Sequence, residues 1–127
     1  MTQPNPRVLL LEDNPALAES ITFALKTFGL DVVGPFATND LTGCSVTKSD
    51  MDAGILDLEL GGGTSIPTAL RLREAGIPFL FMSGHDMEDE LPAEFQNEIC
   101  LQKPVAPEVL AEAIQELREG QALPEAS

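Results

Sequence analysis

Arg7-Val-Leu-Leu-Leu-Glu-Asp13 is an unbroken apolar run that ends in two acids. Such a run is typical of a strand buried on both faces, as in a parallel sheet. Asn14 and Pro15 follow as a helix N-cap and a first-turn residue. The helix is expected to end at Gly29, and its apolar residues recur at helical spacing, at Leu17, Ile21, Leu25 and Phe28. This stretch therefore predicts a βα unit with an acidic pair at its junction.

The same alternation continues along the rest of the chain. Further strands are predicted at 31–36, 53–60, 78–82 and 99–101, and further helices at 38–49, 65–75, 86–97 and 107–120. Gly43 and several β-branched residues weaken the helix at 38–49, and Pro92 interrupts the one at 86–97. Five βα repeats predict an α/β fold, with a doubly wound five-stranded parallel sheet and helices on both faces. We expect one domain over residues 1–127, with a core at about 7–120 and a mobile tail at 121–127.

The composition is that of a soluble globular protein. Apolar residues make up 43% of the 127, and no apolar run approaches the roughly 18 residues of a membrane span. The N-terminus lacks the apolar segment of a secretory signal. Cys44 and Cys100 are too few for a disulfide framework, so we interpret them as core thiols of a cytoplasmic protein. A net charge of −14 disfavours DNA or RNA as a partner, because their phosphates would be repelled.

Polar side chains lie at the ends of four of the five predicted strands. Glu12 and Asp13 follow the first strand, and Asp57 lies in the third. Ser83 ends the fourth strand, and Lys103 follows the fifth. Doubly wound sheets bind ligands at the carboxyl ends of their strands, and an order of 2-1-3-4-5 would bring the three acids together. Each residue alone has an ordinary structural explanation, such as a helix N-terminal acid or a turn, but their joint placement indicates a site.

The chemistry of these residues suits phosphoryl transfer. Three adjacent carboxylates repel one another, and a divalent cation relieves the repulsion. Oxygen ligands favour a hard ion, and Mg²⁺ suits a shallow site that keeps several waters. Lys103 and Ser83 offer an ammonium and a hydroxyl to phosphoryl oxygens. Asp57 is then the nucleophile and forms an aspartyl phosphate.

Four motifs make the chain similar to the bacterial response regulator receiver domains of two-component signalling, over about residues 7–120. They are Val8-Leu-Leu-Leu-Glu-Asp13, Gly54-Ile-Leu-Asp-Leu58, Met82-Ser-Gly84 and Lys103-Pro104. The resemblance implies a flavodoxin-like fold in which Asp57 takes a phosphoryl group from the phosphohistidine of a histidine kinase. It also implies that Ser83 and Lys103 clasp that group, and that the Lys103–Pro104 bond is cis.

The resemblance further implies a magnesium site. Asp13, Asp57 and the backbone carbonyl of Glu59 would hold the ion, with Glu12 acting mostly through water. Glu59 and His85 stand at positions that modulate the loss of the phosphoryl group in the family. A loop histidine without a catalytic role is the alternative interpretation of His85.

One position departs from the family pattern. The family usually places Tyr or Phe three residues before the lysine, where this chain has Cys100, and the chain contains no Tyr or Trp. An aromatic swing therefore cannot report on Ser83. We expect a switch region of Ser83, Gly84 and Cys100, with the signal leaving through the Ser83–Met87 loop and the irregular segment after it.

The predicted function is phosphorelay signal transduction, by docking on another protein or by onward transfer to a histidine phosphotransferase. The chain would then catalyse only its own phosphorylation and dephosphorylation and would not be an enzyme otherwise. Two alternatives remain. One is an aspartyl-phosphate phosphohydrolase, for which Glu59 supplies a second acid. The other is a binding module that is never phosphorylated. The downstream partner stays unknown, and a phosphorylation-dependent homodimer or a longer parent regulator is compatible with the sequence.

Overall fold

The computed structural model describes residues 5–84 and 91–122. Within them lie seven strands and three α-helices, together with one 3-10 turn at Ala93–Phe95. The strands are β1 (Arg7–Leu11), β2 (Asp31–Phe36), β3 (Ala53–Asp57), β4 (Glu59–Leu60), β5 (Gly63–Thr64), β6 (Phe79–Ser83) and β7 (Cys100–Gln102). The helices are α1 (Pro15–Thr27), α2 (Ile66–Glu74) and α3 (Pro107–Ala122). No helix in these ranges is both long and apolar enough to cross a membrane.

Five strands form one parallel sheet in the order β2-β1-β3-β6-β7. Leaving out the short β4 and β5, this is the predicted order 2-1-3-4-5. The three inner strands are almost wholly buried, which agrees with their continuous apolar sequences. The predicted α/β class and doubly wound sheet are therefore confirmed.

Side chains alternate between two core layers, one on each face of the sheet. One layer packs against α1 and α3 and contains Val8, Leu10, Ile55, Leu80, Ile21 and Ile114. The other packs against α2 and the segment between β2 and β3, and contains Leu9, Leu11, Leu56, Phe81, Leu72 and Leu41. Successive residues of a strand point to opposite faces, so one apolar run serves both layers.

The first βα unit follows its prediction closely. The Asn14 side chain accepts hydrogen bonds from the N–H groups of Ala16 and Leu17, at 3.1 and 3.2 Å, and Pro15 opens α1. Gly29 adopts a φ of 83°, a left-handed conformation that ends the helix at low steric cost. The start of α1 is therefore fixed directly beside the acids that follow β1.

The helix predicted at 38–49 does not form. Residues 37–52 instead run as turns, and Gly43 takes a φ of 83°. The segment is held on the sheet by Leu41 and Met51, both buried in the core. The helix is predicted only because strands and helices alternate along the chain, and Gly43, with its positive φ, interrupts it.

The strand predicted at 53–60 is split at Leu58. β3 ends at Asp57, and β4 pairs with β5 as a small antiparallel hairpin in which Glu59 lies opposite Thr64 and Leu60 opposite Gly63. The turn between them needs Gly62, whose φ is 86°. The split places Asp57 at the very end of a buried strand.

Two further predictions need correction at their ends. α3 does not stop at Gly120 and continues to Ala122, because one glycine flanked by good helix formers costs only about 1 kcal/mol. Residues 123–127 of the predicted tail lie outside the described residues. Of the helix predicted at 86–97, the described part holds only the 3-10 turn, which buries Phe95 against Phe79 and Phe81 at centroid distances of 6.0 and 5.8 Å.

Truncating a core side chain of β3, the central strand, should show how much that strand contributes to the free energy of unfolding. Leu56→Ala, at a site with 0% exposure, should lower the free energy of unfolding by about 3 kcal/mol. Leu70→Ala, at a site 45% exposed on α2, should cost less than about 0.5 kcal/mol. Urea denaturation followed by circular dichroism suits a chain without Trp or Tyr. Equal costs for the two variants would contradict the packing described.

Candidate functional site

Three acids meet at the carboxyl ends of β1 and β3. Glu12 and Asp57 are buried, with 3% and 2% exposure, whereas Asp13 is exposed. One carboxylate oxygen from each of the three lies within 4.8 Å of the others. The cause is the strand pairing, since Leu11 lies opposite Leu56, and Glu12 and Asp57 follow them at the ends of the two strands. The structure thus brings together the acids that the sequence predicted to converge.

The Glu12 carboxylate is only half satisfied. Its Oε2 accepts the N–H of Asn14 at 3.0 Å. Its Oε1 is buried and has no hydrogen bond among the described residues, although the Lys103 Nζ lies 3.3 Å away as an ion pair. Burial raises the pKa of this carboxyl above its ordinary 4.5, and the charge of Asp57 adds to the rise. The contacts with Asn14 and Lys103 oppose the rise without cancelling it.

The other two acids are positioned by backbone N–H groups. Asp57 Oδ1 accepts the N–H of Glu59 at 3.3 Å, and Asp13 Oδ2 accepts the N–H of Gly61 at 2.8 Å. Both donors lie in or beside the β4–β5 hairpin. The split of the predicted long strand therefore has a direct consequence, because it turns two backbone donors toward the acids.

Lys103 supplies positive charge at the same place. It follows β7, its N–H donates to the Ser83 carbonyl at 2.7 Å, and its Nζ donates to Asp57 Oδ2 at 2.9 Å. Burial alone would lower the pKa of the ammonium. The hydrogen bond and charge of Asp57, with those of Glu12, outweigh that effect and raise the pKa above its ordinary 10.5. The ammonium is therefore charged at neutral pH. The Lys103–Pro104 bond is cis, as expected, and so is Gly34–Pro35.

Ser83 ends β6 and is fully buried. Its hydroxyl oxygen accepts a hydrogen bond from the thiol of Cys100 at 3.4 Å. Cys100 is half-buried on β7, and neither it nor Cys44 is in a disulfide. The prediction of core thiols holds only in part, since both cysteines are half-buried and pack against the core layer around Phe81.

An open cleft of about 340 Å³ exposes this group of residues to solvent. It is lined by Glu12, Asp13, Asn14, Asp57, Glu59, Leu60, Gly61, Gly62, Gly84 and Lys103. Glu59 and Gly84 thus line the cleft, whereas Ser83 is not among the lining residues. His85 and the rest of the predicted route through Met87 lie outside the described residues.

A family model described as the response regulator receiver domain matches residues 8–115. The chain belongs to this family. This receiver domain places the acids, the lysine and the serine at the strand ends on which the resemblance was based. No curated protein sequence matches the chain.

Solved structures agree with this assignment. The chain is similar to the signal receiver domain of a modulated diguanylate cyclase from Desulfovibrio desulfuricans G20, with 28% identity, a TM-score of 0.75, and coverage of 95% of this chain and 99% of that one. It is similar to SdrG from Sphingomonas melonis Fr1, with 29% identity, a TM-score of 0.69, and coverage of 91% and 98%. A CheY-like receiver domain protein from Methanospirillum hungatei JF-1, at 22% identity and a TM-score of 0.76 over 93% and 97% of the two chains, shares the fold.

The acids of this receiver domain fit a hard divalent cation. The donors are carboxylate oxygens, which Mg²⁺ prefers, and they lie at the rim of an open cleft where the ion can keep waters. The buried Glu12 Oε1 lacks a hydrogen bond among the described residues and lies 3.3 Å from Lys103 Nζ, the ammonium that it shares with Asp57. A cation supplied from solution would relieve both the repulsion and the unsatisfied oxygen.

Sequence reasoning missed Gly61. Gly61-Gly62-Gly63 indicated only a loop, because a backbone N–H carries no residue-specific signal. The available clue was the position of three glycines directly after the strand with Asp57. Such a run permits a tight turn that can approach a carboxylate closely.

Replacing Glu12 should show how much its buried charge destabilises the folded protein and how much that charge contributes to stabilisation by Mg²⁺. The pKa of Glu12 is higher in the folded protein than its ordinary 4.5. The folded protein therefore loses stability as the pH rises from 4.5 through the pKa that Glu12 has in the folded state. At pH 7 and without Mg²⁺, Glu12→Gln should therefore melt a few degrees higher than the native protein. This difference in melting temperature should shrink as the pH falls toward 4.5. Mg²⁺ should raise the melting temperature of the variant less than that of the native chain.

Differential scanning calorimetry with EDTA or Mg²⁺ at several pH values checks both effects. Glu19→Gln, at an exposed position on α1, is the matched control. An unchanged melting temperature for Glu12→Gln at pH 7 would contradict the burial argument.

Proposed function

We propose that this receiver domain accepts a phosphoryl group on Asp57 from the phosphohistidine of a histidine kinase or phosphotransferase. The observation that carries the proposal is the surroundings of the Asp57 carboxylate. Lys103 Nζ holds one oxygen at 2.9 Å, the N–H of Glu59 contacts the other at 3.3 Å, and two further acids complete a cation-binding set. Family membership supports the same activity.

The transfer requires little covalent chemistry from the protein. A carboxylate oxygen of Asp57 attacks phosphorus, the new P–O bond forms as the P–N bond breaks, and the electron pair of the P–N bond stays on the imidazole nitrogen. Lys103 is placed to neutralise charge on the transferred group, since it already spans Asp57 and Glu12. Mg²⁺, when bound, would offset part of the negative charge that the acids and the phosphoryl oxygens carry.

We assign the cation to Asp13, Asp57 and the backbone carbonyl of Glu59, with Glu12 acting through water. The clustering of the three carboxylates and the place of Glu59 in the lining of the cleft support this set. Glu59 itself has an exposed side chain, so it can modulate how water reaches the phosphoryl group. We give His85 the same modulating role.

Signalling would then proceed by docking or by onward phosphoryl transfer. The open cleft fits a donor presented by another protein, and the net charge of −14 favours protein partners over nucleic acid. Self-phosphorylation and dephosphorylation are the reactions we assign to the chain, in place of a phosphohydrolase activity on free substrates. The free thiols of Cys44 and Cys100 suit a reducing compartment, so we expect the chain to work in the cytoplasm.

Loss of Asp57 tests the acceptor. Asp57→Asn should abolish labelling by acetyl phosphate in the presence of Mg²⁺, because an amide oxygen is a poor nucleophile. Intact-mass spectrometry should show the phosphate adduct on the native protein and none on the variant. Asp50→Asn, at an exposed position ahead of β3, should label like the native protein. Full labelling of Asp57→Asn would place the acceptor elsewhere.

We propose that Ser83 and Cys100 form the described part of the switch. In the structure the Cys100 thiol donates to the Ser83 hydroxyl oxygen at 3.4 Å. A phosphoryl group on Asp57 would attract that hydroxyl and weaken its contact with the thiol. The change would then reach β7, an edge strand whose Cys100 is half-buried.

Thiol reactivity tests this switch. In a Cys44→Ala background, beryllofluoride with Mg²⁺ mimics the phosphoryl group, and the maleimide reaction of Cys100 should become at least about threefold faster as its hydrogen bond is lost. In a Cys44→Ala, Ser83→Ala background the rate should no longer respond to beryllofluoride. An unchanged rate in the first protein would remove Cys100 from the switch.

A further inference from the structure

The β4–β5 hairpin stands at the rim of the cleft. Gly61 and Gly62, which form its turn, line the cleft together with Asp13. The N–H of Gly61 donates to Asp13 Oδ2 at 2.8 Å. Of the three clustered acids, Asp13 alone is exposed, so its side chain has the most freedom to turn away from the other two.

A charged acceptor makes this hydrogen bond stronger than an ordinary backbone contact. It restricts the rotation of the exposed Asp13 carboxylate, which would otherwise be ordered only when the cation binds. Hydrogen bonds within the described residues engage Oδ2 and leave Oδ1 without a partner. Oδ1 is therefore available to an ion that lies between Asp13 and Asp57.

The hairpin is held in place by one core contact and by two side-chain hydrogen bonds. Leu60 is buried in the core, with 3% exposure. The Asn39 side-chain amide donates to the carbonyl of Thr64 at 2.8 Å, and the buried hydroxyl of Thr68 donates to Asn39 Oδ1 at 2.6 Å. Thr68 thus fixes the orientation of Asn39, and Asn39 fixes the strand that returns from the turn. We call these contacts the Thr68–Asn39–Thr64 relay.

We propose that Gly61 is a positioning residue for cation binding, and that the Thr68–Asn39–Thr64 relay holds it in place. The proposal rests on the function proposed above, because it concerns the same cation. The affinity for Mg²⁺ then depends on the N–H of Gly61 and on the side chains of Asn39 and Thr68, none of which contacts the ion. Partners of metal ligands commonly change metal affinity by about 10- to 100-fold when removed.

The geometry of the turn allows the donor to be removed selectively. Gly62 has a φ of 86° while Gly61 lies outside the left-handed region, and Leu60 pairs with Gly63. A positive φ at the second turn residue alone is typical of a type II turn, and such turns favour proline at the position of Gly61. Gly61→Pro therefore suits the turn but lacks the N–H, and its ring excludes Asp13 Oδ2 from its present place. Gly61→Ala keeps the N–H, and its Cβ would lie at an ordinary 3.5 Å from that oxygen.

Titration of ¹⁵N-labelled protein with Mg²⁺, followed through the amide signals of Leu58 and Glu59, measures the affinity. Gly61→Pro should bind Mg²⁺ about tenfold more weakly than the native protein, whereas Gly61→Ala should stay within about twofold. Native affinity in a folded Gly61→Pro variant would overturn the proposal. So would an equal loss in both variants, because the shape of the turn and not the donor would then be responsible.

Asn39→Ala gives an independent measurement if Gly61→Pro does not fold. Removing the Asn39 amide should speed hydrogen exchange at the Gly61 N–H and weaken Mg²⁺ binding together. Thr38→Ala, at an exposed neighbouring position, is the control. Unchanged exchange and affinity in Asn39→Ala would overturn the relay. A native protein that binds no Mg²⁺ would instead overturn the proposed function.

Discussion

The charge imbalance at the carboxyl edge of the sheet is the constraint around which this molecule is built. Three carboxylates face one ammonium, and the two buried acids, Glu12 and Asp57, share that ammonium at 3.3 and 2.9 Å. One positive charge cannot balance three negative charges at such distances. Burial raises the pKa of Glu12, and the charge of Asp57 raises it further. Further positive charge, which a divalent cation can bring, would relieve this repulsion.

The fold maintains this unfavourable arrangement because the rest of the sheet is strongly apolar. β1, β3 and β6 bury nearly all their side chains on two faces, and the acids sit only where the strands leave the sheet. Short connections then supply local donors, from Asn14 at the start of α1 and from Glu59 and Gly61 around the hairpin. The apolar core that stabilises the fold and the acids that repel one another thus lie in different parts of the molecule.

Sequence reasoning succeeded where side chains alone decide the structure. The apolar runs of β1 and β6, the cap at Asn14 and the acids at strand ends all carry their signal in residue type. It failed between β2 and β3, because the alternation of strands and helices predicts a helix where Leu41 and Met51 anchor an irregular segment to the core. It also missed the N–H of Gly61 and the bond between Cys100 and Ser83, since both depend on distances that only the folded chain defines.

The irregular segment between β2 and β3 has an evolutionary consequence. It has no helical period to preserve, and it is held on the sheet by few buried side chains, Leu41 and Met51 among them. Most of its residues can therefore drift without loss of the fold. A substitution of Asn39, however, would remove its hydrogen bond to Thr64 and so affect the hairpin that carries Gly61 at the rim of the cleft. Under the proposed function, selection can in this way adjust the affinity for the cation through a surface segment, while the acids and the lysine of the cleft stay unchanged.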